Sequence, residues 1–454
     1  MSQIVGSRMN RRADLTTLDL ESLWHPMLQH RGMAAAPPRQ IASGSGVFLT
    51  DVDGRRLLDG VSGLWCVNVG YGREELADVA REQMARLPYL PLTFTHAPAA
   101  ELAGKLIEML GYAGKVYFTN SGSEANEAAF KIARQYHGQT GSPSRYKIIA
   151  RYRGYHGNTL GALSATGQAE RKIGYEPLVP GFLHIEAPDS YRNTHDCAAQ
   201  LEQAIEREGA DTVAAFIMEP IIAGGGVLIP PDDYLPRVRE ICDRHGVLLI
   251  LDEVVTGLGR TGGSFAHRRA GVEPDLLTLG KGIASGYQPL AATVAKQHVF
   301  EAFEGAPDEL RHFRHINTYG GHPVATAVAL KNIEILEREG LFELATKTGD
   351  ALLARLRCLE DHPNVGEVRG RGLLLGIELV ESKESRAPLS AAGTGAVVAR
   401  CVSEGVIVGK TTNTTPGFSN VVILAPPLVL AENEADLLAT ALETAIREEL
   451  PAKA

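Results

Sequence analysis

Apolar positions fall in two patterns along this chain. Short, nearly continuous apolar runs occur at Val116-Tyr-Phe-Thr119, Lys147-Ile-Ile-Ala150, Val213 to Met218, Val247 to Leu251 and Leu276 to Leu279. Runs of this length that lack polar alternation predict strands covered on both faces. Between them lie stretches with helical spacing, Glu124 to Tyr136 among them. Alternation of the two predicts an α/β fold around a mostly parallel sheet.

The ends of the chain read differently. Val47-Phe-Leu-Thr-Asp-Val52 and Arg55-Arg-Leu-Leu-Asp59 flank Asp53-Gly54, a hairpin signal because Asp-Gly supplies the positive φ values of a tight turn. From Pro323 a long helical segment runs through Glu337, followed by the apolar stretch Val368 to Leu379, which predicts a smaller α+β domain. At 454 residues the chain exceeds what one core organises. We therefore expect an N-terminal arm and part of a small domain over 1–75, a large domain over 76–325, and the rest of a discontinuous small domain over 326–454.

Composition removes several function classes. A net charge of −9 gives no general attraction to phosphate backbones, so nucleic acid is not an expected partner. Five scattered cysteines form no C-x-x-C pair, which argues against a disulfide framework or zinc site and fits a reducing cytoplasm. The fourteen histidines show no metal-ligand spacing, so no metal is expected. The N-terminal stretch lacks the apolar centre of a signal peptide, residues 1 to about 15 read as a loose arm, and no apolar run is long enough to span a bilayer.

Candidate chemistry gathers at predicted strand ends. Asp252 and Glu253 close one apolar strand, where open α/β sheets bind ligands; such acids also bind metals, cap helices or form ion pairs. Lys281 stands just past the next strand between Gly280 and Gly282, 29 residues after Asp252 and about one βαβ step away. Alone it reads equally as a turn lysine. Together, an acid to keep a pyridinium protonated and an amine to hold a carbonyl cofactor are what pyridoxal 5'-phosphate (PLP) requires.

The cofactor's phosphate needs an anion cup. Ser121, Gly122 and Ser123 follow a strand and open a helix, where backbone N–H groups and hydroxyls converge. The same residues read as a serine cap with Glu124 completing a capping box, and both readings hold together. Tyr155 and His156, after another strand, offer a flat aromatic face beside the pocket, although an isolated Tyr-His pair reads more often as core packing. Trp65 reads equally as pocket wall or packing. Gly257-Leu-Gly259-Arg-Thr-Gly262 matches a dinucleotide fingerprint, but no apolar-faced helix follows and no strand-end acid stands about twenty residues on. A nicotinamide dehydrogenase is thus the distant alternative, with Arg260 expected to contact acids or a partner subunit.

In order along the chain, Ser121-Gly-Ser-Glu-Ala125, Tyr155-His-Gly157, Glu219-Pro220, Asp252-Glu-Val254, Gly259-Arg-Thr-Gly262, Lys281-Gly282 and Asn317-Thr318-Tyr-Gly-Gly-His322 resemble the class III aminotransferases from about residue 20 to 445. The resemblance implies PLP fold type I, with Lys281 as the Schiff-base lysine and Asp252 as partner of the pyridine nitrogen. It further implies that Ser121, Gly122 and Ser123 hold the phosphate, that Tyr155 and Val254 flank the ring, that His156 is among the cofactor-binding residues, and that Glu219 belongs to the hydrogen-bonded surroundings of Asp252. Family members are homodimers, or dimers of dimers, with shared active sites, so Thr318 would reach the neighbouring subunit's phosphate.

Within the family the chain looks most like ω-aminotransferases of the taurine or β-alanine to pyruvate kind. The implied activity is a ping-pong transfer from an amine donor to pyruvate or a similar keto acid, with Trp65, Phe94 and Tyr155 walling the amine pocket. Many such enzymes carry an arginine in the loop matching Lys410 to Gly417 for the acceptor's carboxylate. This chain has none between 401 and 445, which leaves Lys410 as a point charge without the bidentate fork. A decarboxylase or aminomutase on the same scaffold, and a non-catalytic carbonyl or phosphate binder, are the remaining alternatives.

Overall fold

The computed structural model describes residues 15–193 and 195–450; the arm expected over residues 1 to about 15 lies outside them except for its last position. Fifteen strands are described: β1 (Ile41–Ser45), β2 (Phe48–Asp51), β3 (Arg56–Asp59), β4 (Gly114–Thr119), β5 (Lys147–Arg151), β6 (Phe182–Ile185), β7 (Val213–Met218), β8 (Leu248–Asp252), β9 (Leu276–Leu279), β10 (Ala291–Lys296), β11 (Val365–Arg371), β12 (Leu374–Leu379), β13 (Val406–Ile407), β14 (Gly409–Lys410) and β15 (Val421–Leu424).

Seven of them form the central sheet in the order β4-β10-β9-β8-β7-β5-β6. All neighbours from β9 to β6 pair in parallel, while β10 runs antiparallel to both β9 and β4. Every residue of β7, β8 and β9 is buried, the consequence of helices on both faces. One of these, Gly122–Gln139, starts because Ser121 Oγ accepts from the Glu124 amide at 3.2 Å. Its small residues Ala125, Ala128, Ala129 and Ala133 are buried and let it lie close on β9 and β10.

The predicted hairpin forms as β2 and β3, with Gly54 at φ +84° in its turn. β3 then pairs in parallel with β13, Leu58 opposite Val406, so segments more than 340 residues apart in sequence share one sheet. The stretch Val368 to Leu379 is two antiparallel strands that turn at Gly372, φ +55°, joined by β15 and β14 in a third sheet. Parallel strands leave their C-terminal ends on one side, which brings Thr119, Arg151, Asp252 and Leu279 to the same sheet edge.

Candidate active site

A cavity of about 380 Å³ opens at this edge, lined by Ser121 to Ser123, Tyr155 to Asn158, Glu219, Asp252, Val254 and Lys281. Asp252 is 4 % exposed at the end of β8. Three groups fix its carboxylate: Asn126 Nδ2 donates to Oδ2 at 2.8 Å, His156 Nδ1 lies 2.9 Å from the same oxygen, and the Val254 amide donates to Oδ1 at 3.1 Å. Asn126 in turn donates to the His156 carbonyl at 2.7 Å and accepts from Thr278 Oγ1 at 2.9 Å. Thr278 belongs to β9, the strand that leads to Lys281, so one buried amide ties the acid, the lysine's strand and the helix of the anion cup together.

Beside them, Glu219 is buried and accepts from the amides of Tyr155 (2.9 Å) and Ala223 (3.0 Å). Burial pushes its carboxyl above the usual range. Burial likewise raises the Tyr155 phenol, a shift that the Arg171 guanidinium opposes. Lys281 sits at φ +43°, a left-handed conformation uncommon for a side chain with a Cβ. Backbone strain of about 1–3 kcal/mol per residue persists where surrounding structure imposes it, as at ligand sites. Its amine is 5.8 Å from the centre of the Trp65 ring.

The anion cup is built by close approach. A Cβ at Gly157, φ +138°, would fall 2.5 Å from Ser123 Oγ, and one at Gly122 would fall 3.0 Å from a Val254 methyl. Ser123 Oγ accepts from the Asn158 amide at 3.1 Å and donates to its side-chain oxygen at 3.0 Å. Helix N–H groups and hydroxyls at the mouth of such a cup suit a phosphate dianion.

Not every expected residue reaches the cavity. Phe94 is 66 % exposed, Thr318 is exposed with its carbonyl accepting from Tyr89 Oη at 2.9 Å, and neither lines the cavity. Lys410 lies outside it as well, its ammonium 3.5 Å from the Ala391 carbonyl at the start of helix Ala391–Ser403. Conversely, Asn126, Thr278, Asn158 and the cavity-lining Cys66 escaped the sequence reading. Asn126 left one signal, a polar residue inside the alanine-lined buried face of its helix.

Arg260 corrects an expectation. Among the described residues it pairs with no acid; fully buried, it donates to the carbonyls of Leu373 (3.0 Å) and Pro426 (2.5 Å), to Ser62 Oγ (3.1 Å) and to Asn68 Oδ1 (2.8 Å). The glycines around it serve packing. A Cβ at Gly259 would meet Leu428 at 2.6 Å and one at Gly262 would meet Thr346 at 2.2 Å, so this loop presents no phosphate cradle and the dinucleotide reading loses its support. Glu253 is likewise taken up by structure, accepting from the amides of Ala266 and His267.

Comparison with known proteins points the same way. Residues 31–446 match the family model described as Aminotransferase class-III, whose members depend on PLP. The uncharacterized aminotransferase YhxA of Bacillus subtilis is 52 % identical over 439 residues, covering 96 % of this chain and 97 % of its own. The taurine–pyruvate aminotransferase of Bilophila wadsworthia is 43 % identical over 445 residues, with the same coverage. A crystal structure of a Bacillus anthracis aminotransferase superposes with a TM-score of 0.94 at 47 % identity, covering 96 % of this chain and 99 % of that one.

Proposed function

The chain belongs to the class III aminotransferases, and from that premise we propose that it binds PLP through Lys281 and moves an amino group from an ω-amino acid or primary amine to pyruvate or a similar keto acid. The observation that carries the reading is the shared cavity wall: Asp252, held by Asn126 and His156, and Lys281, just past the strand that Asn126 also grips. Tyr155 and Val254 both line the cavity beside the cup, which suits a flat ring, and His156 Nε2 is buried with no hydrogen-bond partner among the described residues.

PLP supplies an electron sink that makes the carbon bearing the amine acidic. The protein's groups do the rest. Ser121, Gly122 and Ser123 would hold the phosphate, Tyr155 and Val254 would flank the ring, and Asp252 would accept the hydrogen bond of the ring nitrogen and keep it protonated. Glu219 and His156 brace that end of the site through the Tyr155 amide and the Asp252 carboxylate. With its amine free, Lys281 Nζ would take the proton from the substrate carbon that bears the amine and deliver it to the cofactor carbon that the lysine had held, acting as base and then acid. Trp65 and Tyr155 wall the amine side.

The reading includes a homodimer, or dimer of dimers, with shared sites. Support comes from an exposed apolar patch around Thr318, comprising Tyr89, Leu92, Phe94, Ile316 and Tyr319, where Asn317 accepts from the cavity-lining Asn120 at 2.9 Å. Patches of this kind favour association, and a partner's Thr318 and Phe94 would then complete the cavity mouth. Five free thiols, three of them buried, suit a reducing cytoplasm. Among the described residues no helix is long and apolar enough to cross a membrane. The chain is proposed to fold as the large domain over 76–325 with a small domain drawn from both ends.

The test is turnover. Protein reconstituted with PLP and given taurine, β-alanine or putrescine with pyruvate should form alanine, and Lys281→Ala should not. Carbon dioxide released without alanine would point to decarboxylation, and no product from any donor would sink the proposal.

A further inference from the structure

A keto acid brings a carboxylate into the cavity, and a carboxylate leaving water needs a cation. Most arginines packed around the site are committed. Arg151 donates to the Glu219 carbonyl, Arg153 to Asp189 and the Gly225 carbonyl, and Arg260 to four neutral acceptors.

Arg171 differs. Half-buried, it lies with its guanidinium carbon 5.0 Å from the centre of the Tyr155 ring, on a residue that lines the cavity. Its Nε donates to Gln168 Oε1 at 2.6 Å, and Gln168 is itself buried and anchored to the Arg153 carbonyl at 2.9 Å. One edge of the fork is thereby fixed. On the other, the sole hydrogen-bond partner among the described residues is the thioether of Met27 at 3.8 Å, and no carboxylate pairs with it.

Gln168 also faces the amine side: a Cβ at Gly224 would lie 3.6 Å from its Nε2 and 3.5 Å from the Trp65 ring, which is in turn 5.8 Å from Lys281 Nζ. Lys281, Trp65, Gln168, Arg171 and Tyr155 thus run in sequence around one side of the site. The loop that follows β14, where the expected arginine is missing, closes on the same turn, because the Glu170 amide donates to the Thr414 carbonyl at 3.0 Å.

We propose that Arg171 binds the anionic end of the substrate: the carboxylate of the keto-acid acceptor in one half-reaction and the distal acid group of an ω-amino donor in the other. A guanidinium edge held in plane suits a carboxylate or sulfonate, both of which accept two parallel hydrogen bonds. This assignment rests on the transaminase reading given above.

The experiment uses the PLP-loaded enzyme, Arg171→Gln and Arg171→Lys, with pyruvate as acceptor, β-alanine as acidic donor and n-butylamine as a donor without an acid group. Calorimetric titration with propionate, which carries the carboxylate and cannot react, gives a readout separate from turnover. Arg171→Gln should raise KM for pyruvate and β-alanine and Kd for propionate by about tenfold or more, with kcat and the n-butylamine KM within about threefold of wild type. Arg171→Lys should recover part of the loss. A rise confined to pyruvate and propionate, or to β-alanine, supports the assignment for that half-reaction. Values for pyruvate, β-alanine and propionate that all stay within about twofold in Arg171→Gln overturn it. Should wild type move no amine to pyruvate, the transaminase reading fails, while the propionate titration still decides whether Arg171 holds a carboxylate.

Discussion

Replacing Asn126 with alanine tests whether one amide organises the site. The side chain is 1 % exposed and takes part in three hydrogen bonds, to Asp252 Oδ2, the His156 carbonyl and Thr278 Oγ1. Truncation leaves the His156 carbonyl and the Thr278 hydroxyl buried without those partners and leaves Asp252 Oδ2 with His156 alone. Each buried polar group stripped of its partner costs about 1–3 kcal/mol, so Asn126→Ala should lose about 3 kcal/mol of unfolding free energy. Thr278→Val strands only Asn126 Oδ1 and should lose about 1 kcal/mol. Because the two share a bond, the double variant should fall short of the summed losses by about 1 kcal/mol. Urea unfolding of the PLP-free protein, followed by circular dichroism, measures all three. An Asn126→Ala variant within about 0.5 kcal/mol of wild type would refute the argument, since no surface substitution is involved that could be neutral.

Further predictions follow from other contacts. Gly157→Ala must place a Cβ 2.5 Å from Ser123 Oγ at φ +138°; it should weaken PLP retention by about tenfold or more in equilibrium dialysis, because the cup itself must shift. Glu378, fully buried between Arg369 and Arg192, has its carboxyl held down to about 2 against the cost of burial, chiefly by the Arg369 and Arg192 charges. A depressed carboxylate contributes stability that is present above about pH 4.5 and lost as pH falls towards 2. Glu378→Gln should therefore be less stable than wild type at pH 7, by up to about 3 kcal/mol, with the gap closing in acid, as unfolding curves between pH 7 and 3 would record. Arg260→Ala strands four buried acceptors and should cost about 3 kcal/mol or more in the same urea assay.

How much of this was legible depends on how local its cause is. Asp252 and Lys281 could be read because an acid closing an apolar run, and a lysine between two glycines just past the next run, are local patterns, and the parallel sheet then brings such ends together without further information. Asn126 could not, since its importance comes from the helix crossing β8 and β9, a relation between segments more than 120 residues apart. The strand Ala291–Lys296 escaped because Ala-Ala-Thr-Val-Ala has little of the bulk that marks a buried strand. The stretch around Gly372 read as one run because a single glycine at positive φ suffices to fold it into two strands. The charge of Arg260 suggests acids or a partner subunit, whereas its acceptors are neutral oxygens from three distant segments of the same chain. Position in sequence makes Lys410 the stand-in for the missing arginine, and in the fold its amine lies 3.5 Å from the Ala391 carbonyl.

The central claim is that Lys281 is the residue that holds the cofactor. Incubating the purified protein with PLP, reducing with borohydride and locating the pyridoxyl group by peptide mass spectrometry tests this without any choice of substrate. The account predicts one modified position, Lys281, and no stoichiometric labelling of the Lys281→Ala variant. Stoichiometric label on another lysine, or a wild-type protein that takes up none, would contradict it.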